Sequence, residues 1–223
     1  MDDRSEPPAT ITPAAFHARP GVADWRVTST GPQAAWRSTS LRSAASLVDD
    51  ILSAAETFGI LPDVDLRPEA VVVRVPYRDL DGIPTRTPAF AEAVSAAAVA
   101  RGLIADPSLV QTVGMYVAQH SSVDARPFFL AALGYEPVGD TDAVDPLRTG
   151  PPLAFNPITG DARGRGRTHF DVFVPADQAR ARVDAALAAG GRLADDSYAP
   201  KWWSLASPDN HGVDIASWTD TFD

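Results

Sequence analysis

Apolar residues recur at helical spacing through residues 34–59, where Leu41, Ala44, Val48, Ile51, Leu52, Ala55 and Phe58 would share one face of an amphipathic helix and Gly59 would stop it. Residues 70–77 then alternate, with Val71, Val73 and Val75 on one side of a strand bounded by Pro68 and Pro76. Asp81-Gly82 reads as a turn, and Thr87-Pro88 as the cap and first position of a second helix. That helix carries Phe90, Ala91, Val94 and Ala98 inward and ends at Gly102. Residues 104–109 are polar and turn-rich, which places a domain boundary there.

The second half follows a different plan. Residues 112–118 alternate as a strand with Val113, Met115 and Val117 on one side, and residues 123–133 suit a short helix closed by Gly134. Short strands follow near 135–138 and 153–156, and a Gly/Arg-rich stretch, 160–167, leads to a second unit. That unit has a strand at 169–174, a helix at 176–189, and strands near 192–194, 202–206 and 213–218. A strand, a helix and a run of short strands, twice over, predict an internal structural repeat of roughly 55 residues, read from element order rather than identity between the copies.

Composition narrows the chemistry. The 223 residues are 45% hydrophobic and 22% charged, with no cysteine. Disulfides, thiolate nucleophiles, iron–sulfur clusters and cysteine zinc sites are therefore excluded. Nineteen basic against twenty-nine acidic residues give a net charge of −10, the wrong sign for a chain that binds nucleic acid or an anionic membrane through Lys and Arg. No apolar run approaches the roughly 20 residues that span a bilayer. The acidic start lacks an apolar signal core, so residues 1–11 are expected to be disordered and the protein cytoplasmic.

In the second half, three segments appear in order: Pro127-Phe-Phe-Leu-Ala-Ala-Leu-Gly-Tyr135, Arg167-Thr-His-Phe-Asp-Val-Phe-Val174, and Ala199-Pro-Lys-Trp-Trp-Ser-Leu-Ala-Ser-Pro-Asp209. With the last strand, they make residues 110–223 resemble the glyoxalase and bleomycin-resistance group, the vicinal oxygen chelate superfamily. The resemblance implies paired βαβββ units around a ligand site, with metal-dependent members drawing two ligands from each repeat. Those positions fall at Thr112, at Phe155 or Asn156, at His169 and at Asp214. Thr112 and Asn156 are poor ligands for Zn, Ni or Fe, so no bound metal and no other cofactor is expected.

His169 and Asp171 lie two apart on one strand and face the same way, with Phe173 beyond them, and Asp214, Ala216 and Trp218 likewise share a face. His169, Asp171 and Asp214 are the expected acid/base residues, since a carboxylate beside an imidazole raises its pKa. A structural His169–Asp171 hydrogen bond is the competing reading. Phe155, Phe173, Trp202, Trp203 and Trp218 are expected to wall the ligand, although consecutive Trp202 and Trp203 must point to opposite faces. The arginines of Arg163-Gly-Arg-Gly-Arg167 could meet an anion or belong to a solvated linker. His17, His120 and His211 read as bystanders.

The first half resembles pterin-4a-carbinolamine dehydratase over residues 12–104. The outline consists of Trp25, Trp36 with the following helix, Ala55-Glu56, Pro62, the valine strand, Asp81-Gly-Ile-Pro-Thr85 and the alanine-rich helix. The resemblance implies an antiparallel sheet with helices on one face, hence an α+β chain, and assembly through the helices into a homo-oligomer, here a dimer. The family's catalytic histidines fall at Ile60, Leu61 and Arg78, none of which can shuttle protons near neutral pH. Glu56, Pro62 and Asp79 complete this degenerate site. It implies either an assembly platform or a repurposed pocket with Ile60 and Leu61 as its floor and Arg78 meeting an anion.

Three functional readings remain at this level. The chain is a glyoxalase-like lyase or isomerase acting on a small metabolite; or a non-catalytic small-molecule binder; or a pterin dehydratase with displaced catalytic groups.

Overall fold

The computed structural model describes residues 9–77, 82–119, 124, 126–158, 168–206 and 212–218. The chain divides into two compact units, the first reaching Val110 and the second running over Gln111–Trp218. No described helix is long and apolar enough to cross a membrane.

The first unit contains β1 (Thr10–Ile11), α1 (Pro13–His17), β2 (Trp25–Thr28), β3 (Gly31–Arg37), α2 (Leu41–Ala45), α3 (Val48–Phe58), β4 (Asp63–Leu66), β5 (Ala70–Arg74), β6 (Ile83–Pro84), α4 (Thr87–Ala100) and β7 (Ile104–Ala105). Its main sheet is antiparallel in the order β2-β3-β5-β4, with β7 added to β3. Register places Trp25 opposite Ala34, Ala34 opposite Val73 and Trp36 opposite Val71, so these share one face. That face meets α4. Trp25 is fully buried, packs edge-on against Trp36 and Phe90, and donates from Nε1 to Ala91 O and Ser95 Oγ, both at 3.2 Å.

Several expectations are corrected here. Residues 34–37 belong to β3 rather than to a helix, because pairing with β2 and β5 on both sides outweighs the modest helical preference of two alanines. The helix over 34–59 is instead two: Ser40 caps α2 by accepting from the Ser43 amide, and α3 ends at Gly59, whose φ of 60° is left-handed. Thr87 is the first helical residue of α4 rather than its cap, and its buried hydroxyl has no hydrogen-bond partner. Thr10 and Ile11, expected in a disordered start, pair with Pro84 and Ile83. Residues 104–109, expected as a polar connection, give β7 and a 3-10 turn fastened by an Arg37–Asp106 ion pair of 2.6 Å. The tight β2–β3 turn needs its glycine: Gly31 has φ 120°, and a Cβ there would sit 2.1 Å from Val75 O.

The second unit contains β8 (Thr112–Gln119), α5 (Arg126–Leu133), β9 (Glu136–Val138), β10 (Asp142–Val144), β11 (Leu153–Pro157), β12 (Thr168–Val174), α6 (Ala176–Ala188), β13 (Arg192–Asp195), β14 (Trp202–Ala206) and β15 (Gly212–Ser217). These form one eight-stranded sheet, β13-β14-β15-β12-β8-β11-β10-β9. Each half of that order belongs to one strand-helix-three-strand run. The halves meet at the antiparallel pair of their first strands, β8 and β12.

Alternation along the strands divides the sheet into two faces. On one, Val174, Trp203, Leu205 and Ile215 pack with Ala179 and Val183 of α6, while Val117, Ala143, Leu153 and Phe155 pack with Phe129 and Leu130 of α5. Burying these aliphatic and aromatic groups is the main force holding the unit together. The other face carries the polar residues.

Candidate functional site

On the face turned from the helices, β12 presents His169, Asp171 and Phe173. Register fixes their neighbours: His169 faces Tyr116, Asp171 lies between Gly114 and Asp214, and Asp214 lies opposite Ser204. An imidazole, two carboxylates, a phenol and a hydroxyl thus meet across β8, β12, β15 and β14.

His169 Nε2 lies 3.2 Å from Asp171 Oδ1 and 3.8 Å from Asp214 Oδ2. The first distance suits an ion pair, but the ring N–H does not line up with Oδ1, which remains a buried carboxylate oxygen with no hydrogen bond. Such an oxygen is costly unless a proton or positive charge stands beside it. The close approach of Asp171 accordingly raises the His169 pKa above its ordinary 6.5, against burial and with added help from the charges of Asp171 and Asp214. Burial raises the Asp214 pKa, with the Ser204 hydrogen bond opposing. The folded state therefore favours the protonated imidazole more than water does.

Tyr116 stacks on His169 with ring centroids 5.3 Å apart and planes 23° from parallel. Burial, and then the charges of Asp171, Asp142 and Asp214, raise its pKa and keep it a neutral phenol. Phe173 is buried on the same face and meets Trp218 edge-on at 5.5 Å. Trp202 lies on this face opposite Ala216 and stacks at 4.2 Å on Tyr198, which is exposed.

Two expected wall residues are elsewhere. Phe155 lies opposite Val117 and packs under α5 on the helix side of the sheet, and Trp203 packs under α6. Neither can touch a ligand on the polar face. Of the tryptophan pair, register selects Trp202. His169, Asp171, Asp214, Phe173, Trp202 and Trp218 all belong to the polar side.

In the degenerate site of the first unit, Ile60 is buried, whereas Leu61 is 70% exposed. Glu56 is exposed on α3 and Pro62 half-buried beyond it. Arg78 and Asp79 lie outside the described residues, as do His120, His211 and the arginines of 163–167. His17 meets Phe16 edge-on at 5.5 Å.

Sequence reasoning missed Tyr116, Gly114 and Ser204. A signal existed for the first two. If Val113, Met115 and Val117 face the core, positions 114 and 116 must face the other way.

Residues 116–216 match the family model of the glyoxalase-like domain. The second unit carries a glyoxalase-like domain. Among solved structures, the chain is similar to a glyoxalase/bleomycin resistance protein/dioxygenase superfamily member from Vibrio splendidus 12B01, at 18% identity over 48% of this chain and 99% of that one, with a TM-score of 0.33. No curated protein matches the chain. The match to the glyoxalase-like domain runs from Tyr116 past Asp214, so it takes in both ends of the His169 cluster.

Proposed function

We propose that the glyoxalase-like domain binds a small metabolite on the face carrying His169, Asp171 and Asp214 and moves a proton on it, in a lyase or isomerase step. One observation carries the reading: an imidazole held between two carboxylates from adjacent strands, one of which has a buried oxygen without a hydrogen bond. Above its raised pKa His169 is neutral, and in that form it accepts the proton. Asp171 orients the ring and stabilises the imidazolium, the usual role of a carboxylate behind a histidine base. Asp214, held toward its protonated form by burial, is placed to return a proton.

The resemblance of this domain implies a metal with two ligands from each repeat, and the residues do not fit that arrangement. His169, Asp171 and Asp214 bring ligand atoms within 4.8 Å of one another, but all three come from the second repeat. At the first-repeat positions Thr112 offers a hydroxyl, Asn156 an exposed amide, and Phe155 a ring in the helix-side core. No step of the proposed reaction passes through a metal or another cofactor.

A second reading, a non-catalytic binder, is favoured by the aromatic groups on the same face: Phe173, Trp218 and the stacked Tyr198–Trp202 pair. In both readings the first unit is a dehydratase-like assembly module of a cytoplasmic homodimer without pterin dehydratase activity. A sedimentation mass of one chain would remove that role, and turnover of a 4a-hydroxypterin would restore the dehydratase reading.

A metabolite panel screened by thermal shift supplies the ligand for the central test. His169→Ala is expected to retain ligand affinity and to lose turnover by about 10²–10⁴-fold, the usual contribution of a general base. Unchanged turnover removes His169 from the chemistry, and no turnover in the unsubstituted protein leaves the binder. Stoichiometric Zn, Ni or Fe in the purified protein would overturn the metal-free mechanism.

A further inference from the structure

We propose that Tyr116 is a positioning residue of this site: its ring, given room by Gly114 and laid against the imidazole, holds His169 in the orientation that faces Asp171 and Asp214. The inference rests on the reading of His169 as the proton-handling group.

Three observations carry it. The first is register. Tyr116 and His169 stand directly opposite on the antiparallel pair β8–β12, and their rings are nearly parallel. Cross-strand partners of this kind restrict each other's side-chain rotation, since their Cβ atoms are only about 4.5–5.5 Å apart.

The second is the space around the rings. Gly114 lies two residues before Tyr116 on the same face. A Cβ at position 114 would sit 3.2 Å from Tyr116 Cε2 and 3.9 Å from Phe173 Cε2. The ring therefore leans back along its own strand over the glycine. On the other flank, a Cβ at Gly212 would sit 3.3 Å from His169 Cβ. Two positions without side chains leave the room in which the stacked pair sits, and a larger residue at either would push one ring.

The third is charge. The groups facing the imidazole are Tyr116 from β8, Asp171 from its own strand and Asp214 from β15, and Asp142 on β10 adds its charge at the phenol. A phenolate here would be a further anion beside three carboxylates. The phenol stays neutral, and a flat uncharged ring can steer the imidazole without competing with Asp171 for its proton. Tyr116 acts through His169 and need not touch the reacting atoms.

NMR titration of His169 tests this without a substrate, in the full chain. The unsubstituted protein and Tyr116→Phe, which keeps the ring, are expected to share a His169 pKa above 6.5. Tyr116→Leu and Gly114→Ala are expected to move it down toward that value, because the imidazole is released from Asp171. If both variants lower the melting temperature but leave the His169 titration unchanged, Tyr116 only packs and the proposal falls. Should Tyr116→Leu fail to fold, the unsubstituted protein decides: nuclear Overhauser contacts between the Tyr116 and His169 ring protons are required, and their absence overturns the stacking. A catalytically silent His169 would leave these ring contacts and pKa differences intact, so the two readings fail separately.

Discussion

Trp25→Ala is expected to destabilise the first unit by about 3–5 kcal/mol, the range for removing a fully buried tryptophan. The residue is 0% exposed and joins the sheet to α4 in two ways. Its ring meets Trp36 and Phe90 edge-on, and its Nε1–H is shared between Ala91 O and Ser95 Oγ. Truncation leaves a cavity and strips the indole donor from a backbone carbonyl and a serine hydroxyl in the core, so the transfer and hydrogen-bond losses add. The measurement is urea-dependent hydrogen exchange: protection of amides in β3 and β5 should fall, while amides in β12 serve as the internal comparison. A loss below about 1 kcal/mol, the level of an ordinary surface change, would mean that Trp25 does not hold the sheet to its helix.

Asp171→Asn is expected to return the His169 pKa from its raised position toward 6.5, with a matching change in how stability depends on pH. The direction follows from linkage. A histidine whose folded pKa lies above its unfolded value contributes stability that is fully present below the unfolded pKa, and that contribution is lost as pH rises through the folded one. In the unsubstituted protein the second unit should therefore lose part of its stability as pH climbs from about 6.5 through the His169 pKa. In Asp171→Asn that slope should flatten, because the amide supplies no charge and Asp214 acts from farther away. His169 resonances followed against the other histidines give the pKa, and melting temperatures across the same pH range give the slope. An unchanged pKa in the variant would falsify Asp171 as the main cause of the raised value.

Legibility in the sequence follows the range of each interaction. The His169–Asp171–Phe173 face was readable because a two-residue repeat fixes which side chains share one side of a strand, whatever lies beside it. The same rule showed that Trp202 and Trp203 part company. It could not say which of them enters the site, since that depends on the β14–β15 register, which sets Trp202 opposite Ala216 and Ser204 opposite Asp214. Phe155 was misplaced for a related reason: its segment is too short to show whether it or Asn156 faces the helices. The stretch 34–37 was read as helix because its alanines and tryptophan satisfy either period, and only pairing with β2 and β5 resolves the choice.

The sequence by itself therefore determined the order of elements in the second unit except for β10, the absence of thiol chemistry and the pairing of one imidazole with one carboxylate on a common face. Tertiary structure decided what surrounds that pair. Tyr116 and Asp214 reach His169 from 53 and 45 positions away along the chain, brought there by strand registers that no local pattern encodes. The raised pKa of His169 arises from Asp171 and Asp214 against the effect of burial, and the neutral phenol of Tyr116 from burial together with carboxylates gathered across three strands. Local periodicity sets the phase of a strand's side chains; long-range pairing alone selects the neighbours that phase will meet.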